Sequence, residues 1–324
     1  MITSGFLSLL LAAMLFLQGQ NDRYPGIHAV KTVPPARQIA ISPDALRALF
    51  GTKESQTDIT PVWKKLEMEP LDFSYCFLCE TDVKFAKTGD LGLAVVRLYK
   101  HQETRFFVLQ QRPQEQPRRW RITGYIDVTG QFDAPPYFII ETASHRWLSI
   151  HVMTDRGTRI GSISTRWFDI DQDLGPVLKY PMGSYHGVGW FSVGGDRDVT
   201  SRVISLATNG SEELLTIHFE ARFEHVDSGL LFRIERDAVY SRPNFGEFRF
   251  DPTRSKMTLE EFTTLFDGTS PRFNIETFLK TCIEPLKNIA VSPDRRKRTW
   301  LRLFLRSARS ASPEKQALLQ LLNK

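Results

Sequence analysis

Between Leu91 and Tyr240, apolar and polar residues alternate in short runs. Turn residues interrupt the runs at roughly ten-residue intervals, the spacing of an all-β region. A period of two sends neighbouring side chains to opposite faces of a sheet. The pattern predicts strands at Leu91–Tyr99, Arg105–Gln111, Trp120–Val128, Tyr137–Thr142, Trp147–Met153, Arg159–Ile170, Ser201–Ala207, Glu213–Glu224 and Leu230–Tyr240. The last three include a hairpin signal, because Asn209-Gly210 tolerates the positive φ that a tight reversed turn requires. Asn209-Gly-Ser211 is also a glycosylation sequon, and the turn explains it without a glycan.

After residue 257 the period changes to that of helices. Ser42-Pro-Asp, Ser292-Pro-Asp and Ser312-Pro-Glu each combine a capping hydroxyl, a proline suited to the first helical position and an acid for the positive helix end. Thr258-Leu-Glu-Glu261 is a capping box. These signals predict a short helix at 43–50 and about four helices in 257–324. The fold class expected is α+β, mainly antiparallel β (sandwich, barrel or curled sheet), with a short N-terminal helix and a C-terminal helical segment. The expected divisions are a signal peptide at 1–19, a β-rich part at 20–133, a second antiparallel part at 134–252 and the helical appendage at 257–324. Asp133-Ala-Pro-Pro136 marks the change between the two β parts.

The apolar run Phe6–Leu17 is shorter than the ~20 residues a membrane span needs, and it fits the core of a signal peptide. Gly19 supplies a small residue for cleavage, although no Lys or Arg precedes the run. No cysteine follows it closely enough for a lipid anchor. The expected location is therefore secreted, periplasmic or cell-envelope. Composition is ordinary for a globular chain of 324 residues, 41% hydrophobic and 24% charged. The net charge of +5 is concentrated: residues 294–309 alone carry +6, leaving the remainder near −1. Broad nucleic-acid affinity is not indicated.

Phe73 to Phe85 contains Cys76-Phe-Leu-Cys79, and it alternates as a strand. Residues three apart on a strand point to opposite faces with Cα atoms roughly 10 Å apart, beyond the roughly 7 Å reach of a disulfide. No helix follows to stabilise a thiolate, and no second pair completes a zinc site. Cys282 joins Ile275, Phe278, Leu279 and Leu286 in a helical apolar stripe; a bridge from it to Cys76 or Cys79 is the alternative.

Several clusters are candidates for chemistry. Asp169, Asp171 and Asp173 resemble the start of a calcium loop, but Leu174 and Tyr180 occupy the places of its Gly and Glu, so an acidic loop is the plainer account. His145, Trp147, Ser149 and His151 share one strand face; a covered face with Trp147 in the core is the plainer account, and a site for a sugar or small polar ligand is the alternative. His218, Glu220, Arg222 and Glu224 share another face, either a solvated charge ladder or a weak form of the paired carboxylates of a glycosidase. The stretch Tyr185–Asp198 is rich in glycine but lacks phosphate-loop and Rossmann spacing. Finally, Arg295, Arg298, Arg302, Arg306 and Arg309 oppose Trp300, Leu301, Phe304, Leu305 and Ala308 on one basic helix.

No recognisable catalytic constellation emerges. The leading expectation is an exported, non-catalytic, β-rich protein that binds a small polar ligand or a cell-envelope partner and needs no cofactor. A secreted hydrolase of a sugar or ester, using His145, His151, Glu220 or Glu224, is the second. A peripheral membrane protein docking through residues 295–309 is the third.

Overall fold

The computed structural model describes residues 26–44, 79–98, 103–111, 119–129, 136–142, 144–157, 160–171, 173–185, 195–244, 246–267 and 274–324. Cys76, the expected signal peptide and the expected 43–50 helix beyond Asp44 lie outside them; Pro43 and Asp44 are helical. Fourteen strands appear among these residues. β1 (Gly26–Thr32), β2 (Ala40–Ile41), β3 (Cys79–Phe85), β4 (Leu91–Leu98), β5 (Glu103–Gln111) and β6 (Trp120–Thr129) make a first sheet, ordered β1-β6-β5-β4-β3 with β2 also on β6. β7 (Tyr137–Glu141), β8 (Arg146–Gly157), β9 (Ile160–Asp169), β10 (Pro176–Tyr185), β11 (Asp196–Asn209), β12 (Glu212–His225), β13 (Gly229–Pro243) and β14 (Arg249–Phe250) follow in simple sequence across a second. Every recorded pairing is antiparallel.

Alternation places the layers. On β8, Leu148, Ile150 and Val152 join Leu93, Val95, Phe106, Val108 and Ile126 of the first sheet in one core, while Trp147 faces a second core on the other side. On β12, Leu215, Ile217, Phe219, Ala221 and Phe223 are all fully buried in that second core. The helices close over it: α1 (Pro252–Ser255), α2 (Leu259–Phe266), α3 (Ile275–Thr281), α4 (Ile283–Ala290), α5 (Arg295–Ser307) and α6 (Pro313–Leu322). Their apolar stripes, including Phe262, Phe266, Phe278, Leu286, Trp300 and Leu318, complete the core. Burying each large side chain is worth about 1.5–3 kcal/mol.

Local chemistry explains the departures from expectation. The β11–β12 hairpin pairs Asn209 with Glu212, so Gly210 and Ser211 are the central turn residues, one place later than Asn-Gly predicts. Gly210 has φ 63° and Ser211 is not left-handed; glycine at the first central position with only that φ positive suits a type II′ turn. The single helix expected over Ile275–Leu286 is two helices. Pro285 lacks the N–H that would bond the Thr281 carbonyl, and Cys282 serves as C-cap of α3 and N-cap of α4. Five helices therefore follow residue 257. At α5 the cap is Asp294, which accepts from the Arg296 amide at 2.9 Å, while Ser292 accepts from the Asp294 amide at 3.2 Å. The capping box at Thr258 and Glu261 and the Ser312 cap are formed. Cys282 is a buried free thiol, and burial pushes its pKa above the usual thiol range.

Candidate functional site, where the second sheet divides

β10 has two partners in succession. Residues 176–182 pair with β9, but only Gly183, Ser184 and Tyr185 pair with β11. Over its first half β10 therefore parts from β11, and Phe248 enters beside it, donating its amide to the Val177 carbonyl at 2.7 Å. α2 covers the division. A cavity of about 220 Å³ remains, bounded by β9 and β10 (Ile163, Ser164, Lys179, Tyr180, Pro181), by Tyr240, Phe248 and Phe250, and by α2 with its cap (Leu259, Phe262, Thr263, Asp267).

Its walls are aromatic and mutually locked. Phe250 and Phe262 have centroids 4.9 Å apart; Tyr240 meets them edge-on at 5.9 and 6.4 Å. Tyr180 stands edge-on to Trp167 at 6.4 Å and Phe219 at 6.1 Å. Such contacts fix ring orientation as well as burying area. Desolvation raises the pKa of both Tyr180 and Tyr240, the latter well above its ordinary value, so both rings carry neutral hydroxyls.

The charges at the cavity are unusual. Lys179, which reaches solvent, stands directly opposite Arg166 in the β9–β10 ladder, and like charges so placed repel. The Lys179 pKa is lowered by desolvation and then by Arg166, against the opposing pull of Asp267 and Glu247. Arg166 is likewise lowered by desolvation, against Glu247. An aromatic chamber lined by Lys179 as well as Asp267 can hold an apolar body and engage a charged head through the lysine.

The residues singled out by sequence fall elsewhere. Trp147 and Ser149 are buried, so neither offers a surface to a ligand. Trp147 stacks between His145 (5.5 Å, 13°) and Trp167 (5.4 Å, 24°). His145 places Nε2 3.3 Å from Oε1 of buried Glu213. His151 lies further along β8, half-buried beside Phe138, with its pKa lowered by desolvation. Glu220 and Glu224 lie on the opposite face of β12 from Phe219 and Phe223. Glu220 faces Thr200 and Glu235 across the ladder, and Glu224 pairs with Arg222 at 3.2 Å. That face also holds the His218–Asp237 pair at 2.7 Å.

The three aspartates are engaged separately. Asp169 accepts from the Asp171 amide at 3.0 Å, Asp173 accepts from the Gly175 amide at 2.9 Å, and Asp171 is clasped by Arg146. Among the described residues no cluster of three or more His, Cys, Asp or Glu is arranged to hold a metal. On α5, Trp300, Leu301, Phe304 and Leu305 are core residues, so the apolar stripe is occupied by the protein itself. Arg295, Arg306 and Arg309 are exposed; Arg298 and Arg302 are partly buried. No described helix is long and apolar enough to cross a membrane.

Sequence reasoning passed over Lys179, Tyr180, Tyr240 and Asp267. The available signal was Lys179 between apolar neighbours in a run bounded by Pro176 and Pro181; those prolines, which lack ladder donors, argued against a strand at all. The chain matches no family model, no curated protein and no solved structure.

Proposed function

We propose that this chain is an exported, non-catalytic binding protein whose ligand is a small molecule with an apolar or aromatic body and one anionic head. The observation that carries the reading is the cavity where β10 leaves β11. It is walled by Tyr180, Tyr240, Phe250 and Phe262, with Lys179 at its mouth facing Arg166. An anionic head beside Lys179 would add to the pull that Asp267 and Glu247 exert against its repulsion from Arg166. The rigid aromatic walls would surround the body with little ordering cost. The apolar run Phe6–Leu17 supports export. The dispersal of His145, His151, Glu220 and Glu224 among different surroundings favours binding over hydrolysis.

A titration with 2-naphthalenesulfonate, followed by its fluorescence, tests the reading. Saturable one-to-one binding is expected, weakened at least tenfold in Thr263→Phe, which fills the cavity from α2. Absence of saturable binding, or binding unchanged in Thr263→Phe, would overturn it.

A further inference from the structure

A second cleft of about 640 Å³ lies between α5 and the end of α6, bounded by Ala290, Val291, Leu321 and Leu322 together with Arg295, Arg298, Thr299 and Arg302. We propose that this groove binds a ligand bearing two or more phosphoryl groups. The three arginines fall at i, i+3 and i+7, so they follow one flank of α5 over roughly 10 Å at 1.5 Å per residue. A single carboxylate occupies one guanidinium fork; a row of forks spaced along a groove matches a series of phosphates.

Two of the three are held in place. Arg302 donates Nη2 to the Leu322 carbonyl at 2.9 Å, and Arg298 donates Nη1 to the Ser292 carbonyl. Those bonds use one N–H group of each fork and hold the head within the groove, while neither arginine has a carboxylate partner among the described residues. Thr299 and Asn323 line the same space. Nearby, four successive cations, Arg295 to Arg298, begin α5, where the helix end is itself positive. Asp294 caps the end and pairs with Arg296 at 3.6 Å, on the helix start and not with the three groove arginines. Three guanidinium groups thus share one groove with no paired carboxylate among the described residues, and a polyphosphoryl anion would supply that partner. The apolar side of α5 is occupied by the core, so recognition would occur through this charged flank with no insertion into lipid.

The same chemistry is offered by soluble polyphosphoryl compounds and by the two-phosphate headgroup of cardiolipin, and two arms separate them. Calorimetric titration of the full chain with pyrophosphate is run alongside co-sedimentation with cardiolipin vesicles, against vesicles of phosphatidylcholine. Wild type is compared with Arg298→Gln/Arg302→Gln and with Arg295→Glu, an exposed position at which folding is not at stake. Pyrophosphate binding weakened at least tenfold in both variants supports a soluble ligand. Cardiolipin-specific sedimentation lost in both variants, without pyrophosphate binding, supports a headgroup. Binding in neither arm, or binding indifferent to both variants, overturns the proposal.

Discussion

Glu213 and Arg242 stand directly opposite each other across β12 and β13, and their side chains form a 3.0 Å ion pair that is 1% and 3% exposed. The pair is completed by its surroundings. Arg242 donates Nε to the Gly246 carbonyl and lies 5.6 Å from the ring centres of both Trp147 and Phe248, while His145 approaches the other carboxylate oxygen. The cluster ties the start of β8 to the hairpin and to the segment carrying Phe248, which borders the candidate cavity. Removing one partner of a buried pair leaves a charge without compensation. Arg242→Met is expected to cost about 3–5 kcal/mol, and Glu213→Leu with Arg242→Met less than the sum of the two single changes. Urea denaturation of the four chains checks this; additive losses would show that the pair is not coupled.

One close approach between the two sheets depends on a small residue. A Cβ on Gly124 of β6 would lie 2.5 Å from Cδ1 of Leu174 and 2.8 Å from the Lys31 carbonyl oxygen. Leu174 has little room to yield, being buried and held at φ 57°. Gly124→Ala should therefore lower stability by about 1–3 kcal/mol through overpacking, read as a shift in the urea midpoint. An unchanged midpoint would mean that the β6–Leu174 contact is loose.

His151 gives a pH dependence with a definite sign. Desolvation lowers its pKa in the folded protein below 6.5, so below that pH the unfolded chain binds more protons and stability falls with acidity. Thermal midpoints of wild type and His151→Gln, followed from pH 7.5 to 5, should diverge, the wild type losing more. Parallel profiles would remove His151 as the cause.

Lys179 is expected to separate binding from stability. Replacing it with Met removes the repulsion from Arg166 and the cost of desolvating an ammonium group, raising stability by up to about 0.5 kcal/mol. The same change should weaken 2-naphthalenesulfonate binding about tenfold. Loss of both properties together would mean that Lys179 serves the fold alone.

The fold was legible wherever one strong pattern governed a segment. β12 alternates buried Leu215 through Phe223 with polar partners, and the capping box at Thr258 announces α2. It was hidden where prolines interrupt the pattern. Pro176 and Pro181 concealed β10, and Pro285 divided a helix that apolar periodicity alone would run through. The short runs forming β1, β2 and β14 are too brief or too polar to signal strands. The candidate cavity was not legible because its lining comes from β9, β10, β13, the Phe248–Phe250 segment and α2, brought together by the parting of β10 from β11. No local spacing records that event. Buried Trp147 and Ser149 fit the covered face that the usual burial of tryptophan favours; alternation assigns sides and cannot by itself say which side is covered.

The most direct test of the binding account is to locate a bound probe. Crystals of the full chain soaked with 4-bromobenzoate are expected to show the bromine, by its anomalous scattering, among Tyr180, Tyr240, Phe250 and Phe262, with the carboxylate directed to Lys179. A cavity without bromine while the probe occupies some other face would contradict the account.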